Sequence, residues 1–352
     1  MGASIILRQE GPVGRITLNR PEALHALNTE MCLAITDALR RWRDDDSVEL
    51  AVIDHAAETR GFCAGGDIRM LAESGAGDAR AARAFFQAEY RMNTAIAEFP
   101  KPYLALMDGV TMGGGVGLSV HGSHRVATDR TVFAMPETGI GLFPDVGGGW
   151  FLPRLDGELG TWLALTGARL KSSDVVAAGI GTHFIPSERI EALNAALRAL
   201  STGHAAGALD ALLDQFADPV GPADFQAHRE TIDTCFAADT AEAIRDRLRA
   251  SDHPWAHQQA ETLLSKSPET VKVALRQLRE GARCLTFREN MRMEYRIGWR
   301  KVTSHDFQEG VRAVILDKDN APAWKPETLE AVAKHDVDRY FEKLGEDELS
   351  FD

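Results

Sequence analysis

Residues 107–149 constrain this chain more than any other stretch. They read MDGVTMGGGVGLSVHG, then RVATDRTVFAMPETGIGLFPDVGGG. A bare glycine turn, Gly113-Gly114-Gly115, opens a helix, and two carboxylates, Glu137 and Asp145, follow on loops pinned by glycine and proline. Glycine lets a ligand reach backbone N–H groups. The first N–H groups of a helix lack partners within it and carry the positive end of its dipole. That combination suits an oxygen that becomes negative during a reaction, with an acid or base beside it.

A lone GGG is ordinarily just a tight strand-to-helix turn. Here a second glycine turn, Ala64-Gly65-Gly66-Asp67, also follows a strand-like segment. Two such turns can each supply one N–H to the same oxygen, an oxyanion hole made only of backbone. Competing glycine motifs fail. G-x-G-x-x-G counted from Gly113 meets Leu118, and no G-x-x-x-x-G-K is present. GLSVHG resembles a nucleophile elbow, but its second glycine is one position late and Ser119 falls inside the predicted helix.

A lone glutamate is ordinarily a solvated surface residue. Glu137, in MPET, instead has Phe133, Ala134, Met135, Ile140 and Leu142 around it. Apolar surroundings raise a carboxyl pKa and suit proton transfer. Asp145, in LFPDVGG, has a similar setting, with a helix cap near Gly148 as its plain alternative. Glu89 shares a helical face with Phe85, Phe86, Asn93 and Ile96, so it needs a partner, such as Arg83 or Arg91, or a chemical role. Cys63 reads as a buried structural cysteine. His121, His124 and Asp129 straddle a predicted helix end and fit no metal-ligand pattern, so no metal is expected.

The 352 residues suggest one large domain with a smaller one. A net charge of −13 argues against nucleic-acid binding and against docking on acidic membranes. Four scattered cysteines form no CxxC or zinc pattern, which favours a reducing compartment. The start, MGASIILRQEG, does not read as a signal peptide, nor as a myristoylation signal, since Ile6 stands where Ser or Thr belongs. A cytoplasmic location is expected, or the mitochondrial matrix if a transit peptide has been removed. No apolar run reaches membrane-spanning length.

Strands are expected at 4–9, 12–19, 48–54 and 103–108. Helices are expected after Asn28, over 79–98 and over 115–122. Twice a strand feeds a glycine loop that opens towards a helix, which suits an α/β domain with its site at strand ends. Strand signals nearly vanish after about 185, and four amphipathic helices lead to an acidic end, GEDELSFD, expected to fray. Residues 317–325 read as a loop. The expected division is 1–190, an α/β core with the site, and 191–352, a helical C-terminal region.

The motifs RGFCAGGDI, DGVTMGGGVG and MPETGIGLFPDVGG resemble those of the crotonase (enoyl-CoA hydratase/isomerase) superfamily, and LNRPEALHAL and MEYRIGWRKVTSHDFQEGVRAVILDKDNAPAWKP extend the likeness over nearly the whole chain. The long C-terminal motif resembles its thioester-hydrolase branch. The resemblance implies an α/β crotonase-like ββα spiral core with a helical C-terminal region. It implies oxyanion donors at Gly66 and Gly114, a catalytic carboxylate at Glu137, a second acid at Asp145 and a substrate-pocket glutamate at Glu89. Gly114, Glu137 and Asp145 then also count as substrate-binding. The implied substrate is an acyl-CoA, with (S)-3-hydroxyisobutyryl-CoA from valine breakdown the expected one. No cofactor is implied, because CoA is part of the substrate; a homo-oligomer, trimer or hexamer, is. Hydratases of this fold carry a second Glu three residues after the central glycine of GGG; here Gly117 stands there. Adding water to a double bond needs an acid and a base, so its absence favours thioester hydrolysis over hydratase or isomerase chemistry. A catalytically weak acyl-CoA-binding protein is the other alternative. His25 replaces a common Asn, and Arg20 and Lys101 are the candidates for the CoA phosphates.

Overall fold

The computed structural model describes residues 3–56, 59 and 61–351. Arg60 of the RGFCAGGDI motif lies outside them. The chain divides into two compact units, each assembled from separate stretches. One holds Met1–Gly66, Arg91–Phe133 and Leu170–Asp224; the other holds Asp67–Tyr90, Ala134–Arg169 and Phe225–Asp352. Position 190 instead marks a change in secondary structure. Among the described residues the last strand ends at Phe184, and helices follow.

The strands are β1 (Ile5–Glu10), β2 (Val13–Leu18), β3 (Leu50–His55), β4 (Gly61–Cys63), β5 (Tyr103–Met107), β6 (Val110–Met112), β7 (His124–Ala127), β8 (Val132–Ala134), β9 (Leu170–Lys171) and β10 (His183–Phe184). In the first unit a six-stranded sheet runs β1-β2-β3-β5-β7-β10. β1 and β2 form an antiparallel hairpin, and the remaining neighbours pair in parallel. Parallel neighbours need crossovers, which helices supply. The helix Thr29–Asp44 joins β2 to β3 and buries Met31, Ile35, Ala38 and Trp42, the periodicity read from the sequence. Asn28 Oδ1 caps it by accepting the Met31 N–H at 2.9 Å. Val13, Leu50, Val52, Leu104, Leu106 and Val126 pack with Leu193, Leu197, Leu209 and Leu213 from the helices Ile190–Arg198 and Ala205–Phe216. A second sheet, β4-β6-β8-β9, carries the glycine turns.

The second unit is helical. Its main supports here are Pro268–Gly281 and Phe287–Lys301, the latter opened by a Thr286/Glu289 capping box. Buried Lys301 pairs with Glu269 at 2.7 Å, and Tyr340 donates to the same carboxylate. The acidic end does not fray as expected. Leu349 is buried, Glu348 pairs with Arg296 at 3.0 Å, and Arg292 donates to the Leu349 carbonyl. One apolar anchor and two arginines outweigh the repulsion among the acids. Among the described residues no helix is long and apolar enough to cross a membrane.

Candidate active site

β4 and β6 are hydrogen-bonded parallel neighbours, with Gly61 opposite Val110 and Cys63 opposite Thr111. Each runs into one of the two glycine turns, so parallel pairing alone brings the turns together. Gly65 adopts φ +119°, and a Cβ there would stand 3.6 Å from the Met112 carbonyl oxygen and 3.8 Å from the Gly114 nitrogen. The Leu27 N–H donates to the Gly65 carbonyl at 2.8 Å and anchors the first turn. Gly66 N–H then has no backbone acceptor among the described residues. Gly114 is the first residue of the helix Gly114–Ser119, where helix geometry supplies its N–H with none. Two adjacent turns thus each present a backbone donor.

Gly115 keeps them adjacent. A Cβ at this position would overlap the Cys63 carbonyl oxygen and crowd the Cys63 side chain. The obstacle is backbone, so it yields little. Gly115→Ala is expected to cost about 1–3 kcal/mol by overpacking. Urea unfolding checks this, and an unchanged midpoint would show that the two turns do not depend on this contact.

The second unit holds a cluster of acids. Glu89 lies on the helix Arg80–Ala97, and Glu137 opens the short turn Glu137–Ile140. Asp145 precedes the helix Gly148–Phe151, and Glu294 lies on Phe287–Lys301. All four are at most 5% exposed. None has a basic partner among the described residues. Glu89 therefore lacks the arginine that would have explained it as a structural pair; the Arg83 guanidinium instead stacks 4.0 Å over the Trp299 ring. Burial first, then the neighbouring Asp145 and Glu137 charges, push Glu89 well above the usual carboxylate range. Burial and Asp145 do the same to Glu137. Burial pushes Asp145 up to about 7, although the Tyr90 hydroxyl donates to its Oδ2 at 3.0 Å and pulls the other way. Glu294 is pushed up to about 8 by burial and Asp145, against its own donors. Glu89 Oε1 and Glu137 Oε2 have no hydrogen-bond partner among the described residues. Such a cluster holds protons at neutral pH and has open acceptors, which suits proton transfer.

Asp145 does not cap the helix that follows it. Gly147 occupies the cap position, and the Asp145 side chain turns to Tyr90. The loop between them is strained. Val146 adopts φ +51° and Gly147 φ +90°. A β-branched residue in the left-handed region costs on the order of 1–3 kcal/mol and persists only where neighbours enforce it.

A family model described as enoyl-CoA hydratase/isomerase matches residues 13–341. The chain belongs to the enoyl-CoA hydratase/isomerase family. It is 47% identical to the mitochondrial 3-hydroxyisobutyryl-CoA hydrolase of Danio rerio, over 99% of this chain and 92% of that protein. It is 44% identical to the Homo sapiens enzyme of the same name, over 99% of this chain and 90% of that one. Among solved structures, a carnitinyl-CoA dehydratase from Mycobacterium thermoresistibile superposes with a TM-score of 0.93 at 38% identity, covering 99% of both chains. An enoyl-CoA hydratase from Rhodobacter sphaeroides 2.4.1 gives 0.88 at 40% identity, covering 99% of this chain and 100% of its own. The expected crotonase membership and α/β fold with a helical C-terminal region both hold.

Within this family frame the remaining sequence candidates find plain roles. Ser119 is buried, and its hydroxyl donates to the Gly115 and Val116 carbonyls. The Cys63 thiol donates to the His25 carbonyl at 3.2 Å. His124 bonds Asp210, and Asp129 accepts from Ser187, so they do not converge. Among the described residues no group of three or more His, Cys, Asp or Glu could hold a metal ion. Lys101 is not available for a phosphate: its ammonium donates to the Trp42, Asp45 and Val48 carbonyls at 2.6–2.8 Å, closing the end of Thr29–Asp44. Arg20 donates to the Ala26 carbonyl at 3.0 Å. His25 sits at φ +58°, a conformation Asn also tolerates, and its ring bonds the Arg20 N–H and Thr59 hydroxyl. Glu294 escaped sequence reading. It lies inside MEYRIGWRK, three and four residues from buried Met291, Ile297 and Gly298. The argument that singled out Glu89 on an apolar stripe applies to it equally.

Proposed function

We propose that this chain hydrolyses an acyl-CoA thioester, converting 3-hydroxyisobutyryl-CoA and water to 3-hydroxyisobutyrate and CoA in valine breakdown. The observation that carries the reading is the buried set of acids, whose pKa values are raised by burial and by one another; the two adjacent backbone donors of the other unit support it. The identity to 3-hydroxyisobutyryl-CoA hydrolases over nearly the full chain supports the substrate. The thioester carbonyl accepts from Gly66 N–H and Gly114 N–H, each such donor being worth about 3–4 kcal/mol in the transition state. Glu137 in its ionised form attacks the carbonyl carbon, the C–S bond breaks, and water then splits the mixed anhydride; the alternative is that Glu137 takes a proton from the attacking water. Asp145, with its pKa near neutrality, serves proton transfer, including to the departing thiolate. Glu89 accepts the substrate hydroxyl. The enzyme works as a homo-oligomer, with no cofactor beyond the CoA of its substrate.

The dehydratase and the hydratase that superpose on this chain favour a second reading, addition or removal of water at a double bond. Gly117 speaks against it. It is buried in the helix Gly114–Ser119 and brings no second carboxylate. Thiol release from a panel of short acyl-CoA esters, run beside hydration of crotonyl-CoA, separates the readings. Rapid release from the 3-hydroxyisobutyryl ester with no crotonyl-CoA hydration is expected. Crotonyl-CoA hydration without free thiol establishes the second reading, and binding without either reaction establishes a non-catalytic acyl-CoA-binding protein.

A further inference from the structure

The backbone on both sides of Asp145 is held by two side chains that also hold each other. Before it, Gln277 Nε2 donates to the Pro144 carbonyl at 2.7 Å. After it, the Glu294 carboxylate accepts the Gly147 N–H at 2.7 Å and the Gly149 N–H at 2.8 Å. Gln277 Nε2 also lies 3.2 Å from Glu294 Oε1, and Asn290 Nδ2 donates to that oxygen at 2.8 Å. Between these anchors sit Asp145 and the left-handed Val146. Every group bonded to Glu294 donates to it, so the residue clamps the turn by accepting. A turn that puts a β-branched residue at positive φ turns its N–H groups inward, away from any regular ladder. The two oxygens of Glu294 take one of these N–H groups each. Burying a carboxylate without a cation is costly, and the fold sets against that cost the bonds that fix this one turn.

We propose that Glu294 is a positioning residue. It holds the Val146–Gly147 turn in its left-handed form and thereby aims the Asp145 carboxyl. The inference rests on the reading that Asp145 takes part in thioester hydrolysis. Glutamine keeps the volume of Glu294 but turns an amide against one of the two loop N–H groups.

The test is a cycle of Glu294→Gln, Val146→Gly and the double variant, with Asp145→Asn as reference, all assayed for thiol release from 3-hydroxyisobutyryl-CoA. Glu294→Gln is expected to lower kcat about 10- to 100-fold, as misplacement of a reacting group does, with little change in KM. Val146→Gly removes the strain the clamp opposes, so the double variant recovers much of that loss. The pH–rate limb belonging to Asp145 moves to higher pH in Glu294→Gln, because a released turn carries the carboxyl away from the Tyr90 hydroxyl that holds its pKa down, with Glu89 and Glu137 still beside it. A purely structural role lowers Tm but leaves kcat per folded enzyme and the pH profile unchanged, and that result overturns the proposal. A loss that Val146→Gly does not relieve overturns it as well. If Glu294→Gln alone fails to fold, the double variant is compared with Val146→Gly: recovery of folding with kcat near that of Val146→Gly supports the proposal, and a double variant that still fails to fold, or that loses kcat about 10-fold or more against Val146→Gly, overturns it. A fully active Asp145→Asn removes the underlying reading instead, and is distinguished by being independent of Glu294.

Discussion

Glu137→Gln lowers kcat for CoA release by about 10²–10⁴-fold, the usual worth of a positioned acid or base, while KM changes little. The amide keeps the size of the carboxyl, but it neither attacks a carbonyl nor takes a proton from water. Gly66 and Gly114 still polarise the thioester in this variant, so a residual rate above that in water persists. Folding is not endangered. Glu137 Oε2 has no hydrogen-bond partner among the described residues, and the substitution removes a buried acid from a set of four. Steady-state thiol release with purified, folded variant is the measurement, and an undiminished rate would remove Glu137 from the reaction. Single-turnover hydrolysis of the wild type in ¹⁸O-labelled water then tests the anhydride route: label entering Glu137 marks it, by water attack at the glutamyl carbon.

The halves of the proposed chemistry differed in how legible they were. The glycine turns at 64–67 and 113–115 read in the sequence as following the strands at 48–54 and 103–108, but the three-residue strands β4 and β6, whose parallel pairing sets the turns side by side, are too short to carry a periodic signal. Glu137, Asp145 and Glu89 stood out because each interrupts an apolar pattern. What the sequence left open was the partner of each acid, because partners come from distant stretches. Arg83 was as good a match for Glu89 as any, until Trp299, more than two hundred residues on, took its guanidinium. Asp145 read equally well as a helix cap until Tyr90 took its carboxyl. Lys101 looked like a free cation, and three carbonyls from another segment use all its protons. The compact units interleave six stretches, a division that composition does not signal. Glu294 was hidden for a different reason: its helix is rich in charged residues, and one more glutamate among them drew no notice.

Thermal stability measured from pH 5 to pH 9 is expected to fall as pH rises, and Glu137→Gln is expected to flatten that fall. Each of the four acids ionises near pH 4 in the unfolded chain. Folded, Asp145 ionises at about 7 and Glu294 at about 8, with Glu89 and Glu137 well above the ordinary value. A carboxyl raised in this way favours the native state most below its unfolded pKa. That contribution is lost as pH climbs through the folded pKa, because the unfolded chain solvates the charge and the buried site does not. The window is therefore roughly pH 4 to 8. Asp145 alone accounts for a few kcal/mol across it. Carboxylates shifted the other way do not mask the effect, and His25, held down to about 4 mainly by burial, opposes it only below about pH 6.5, so the fall is steepest above that. Glu309, held down to about 2 by Arg312, has its contribution fully in place above about pH 4.5. At pH 8.5 Glu137→Gln should melt several degrees above the wild type, and at pH 5 the two should nearly coincide. Parallel Tm curves across the range would show that Glu137 is not held neutral by its surroundings. A gain in stability confined to alkaline pH, alongside the loss of thiol release, identifies the buried acids as a strain that the fold keeps for its chemistry.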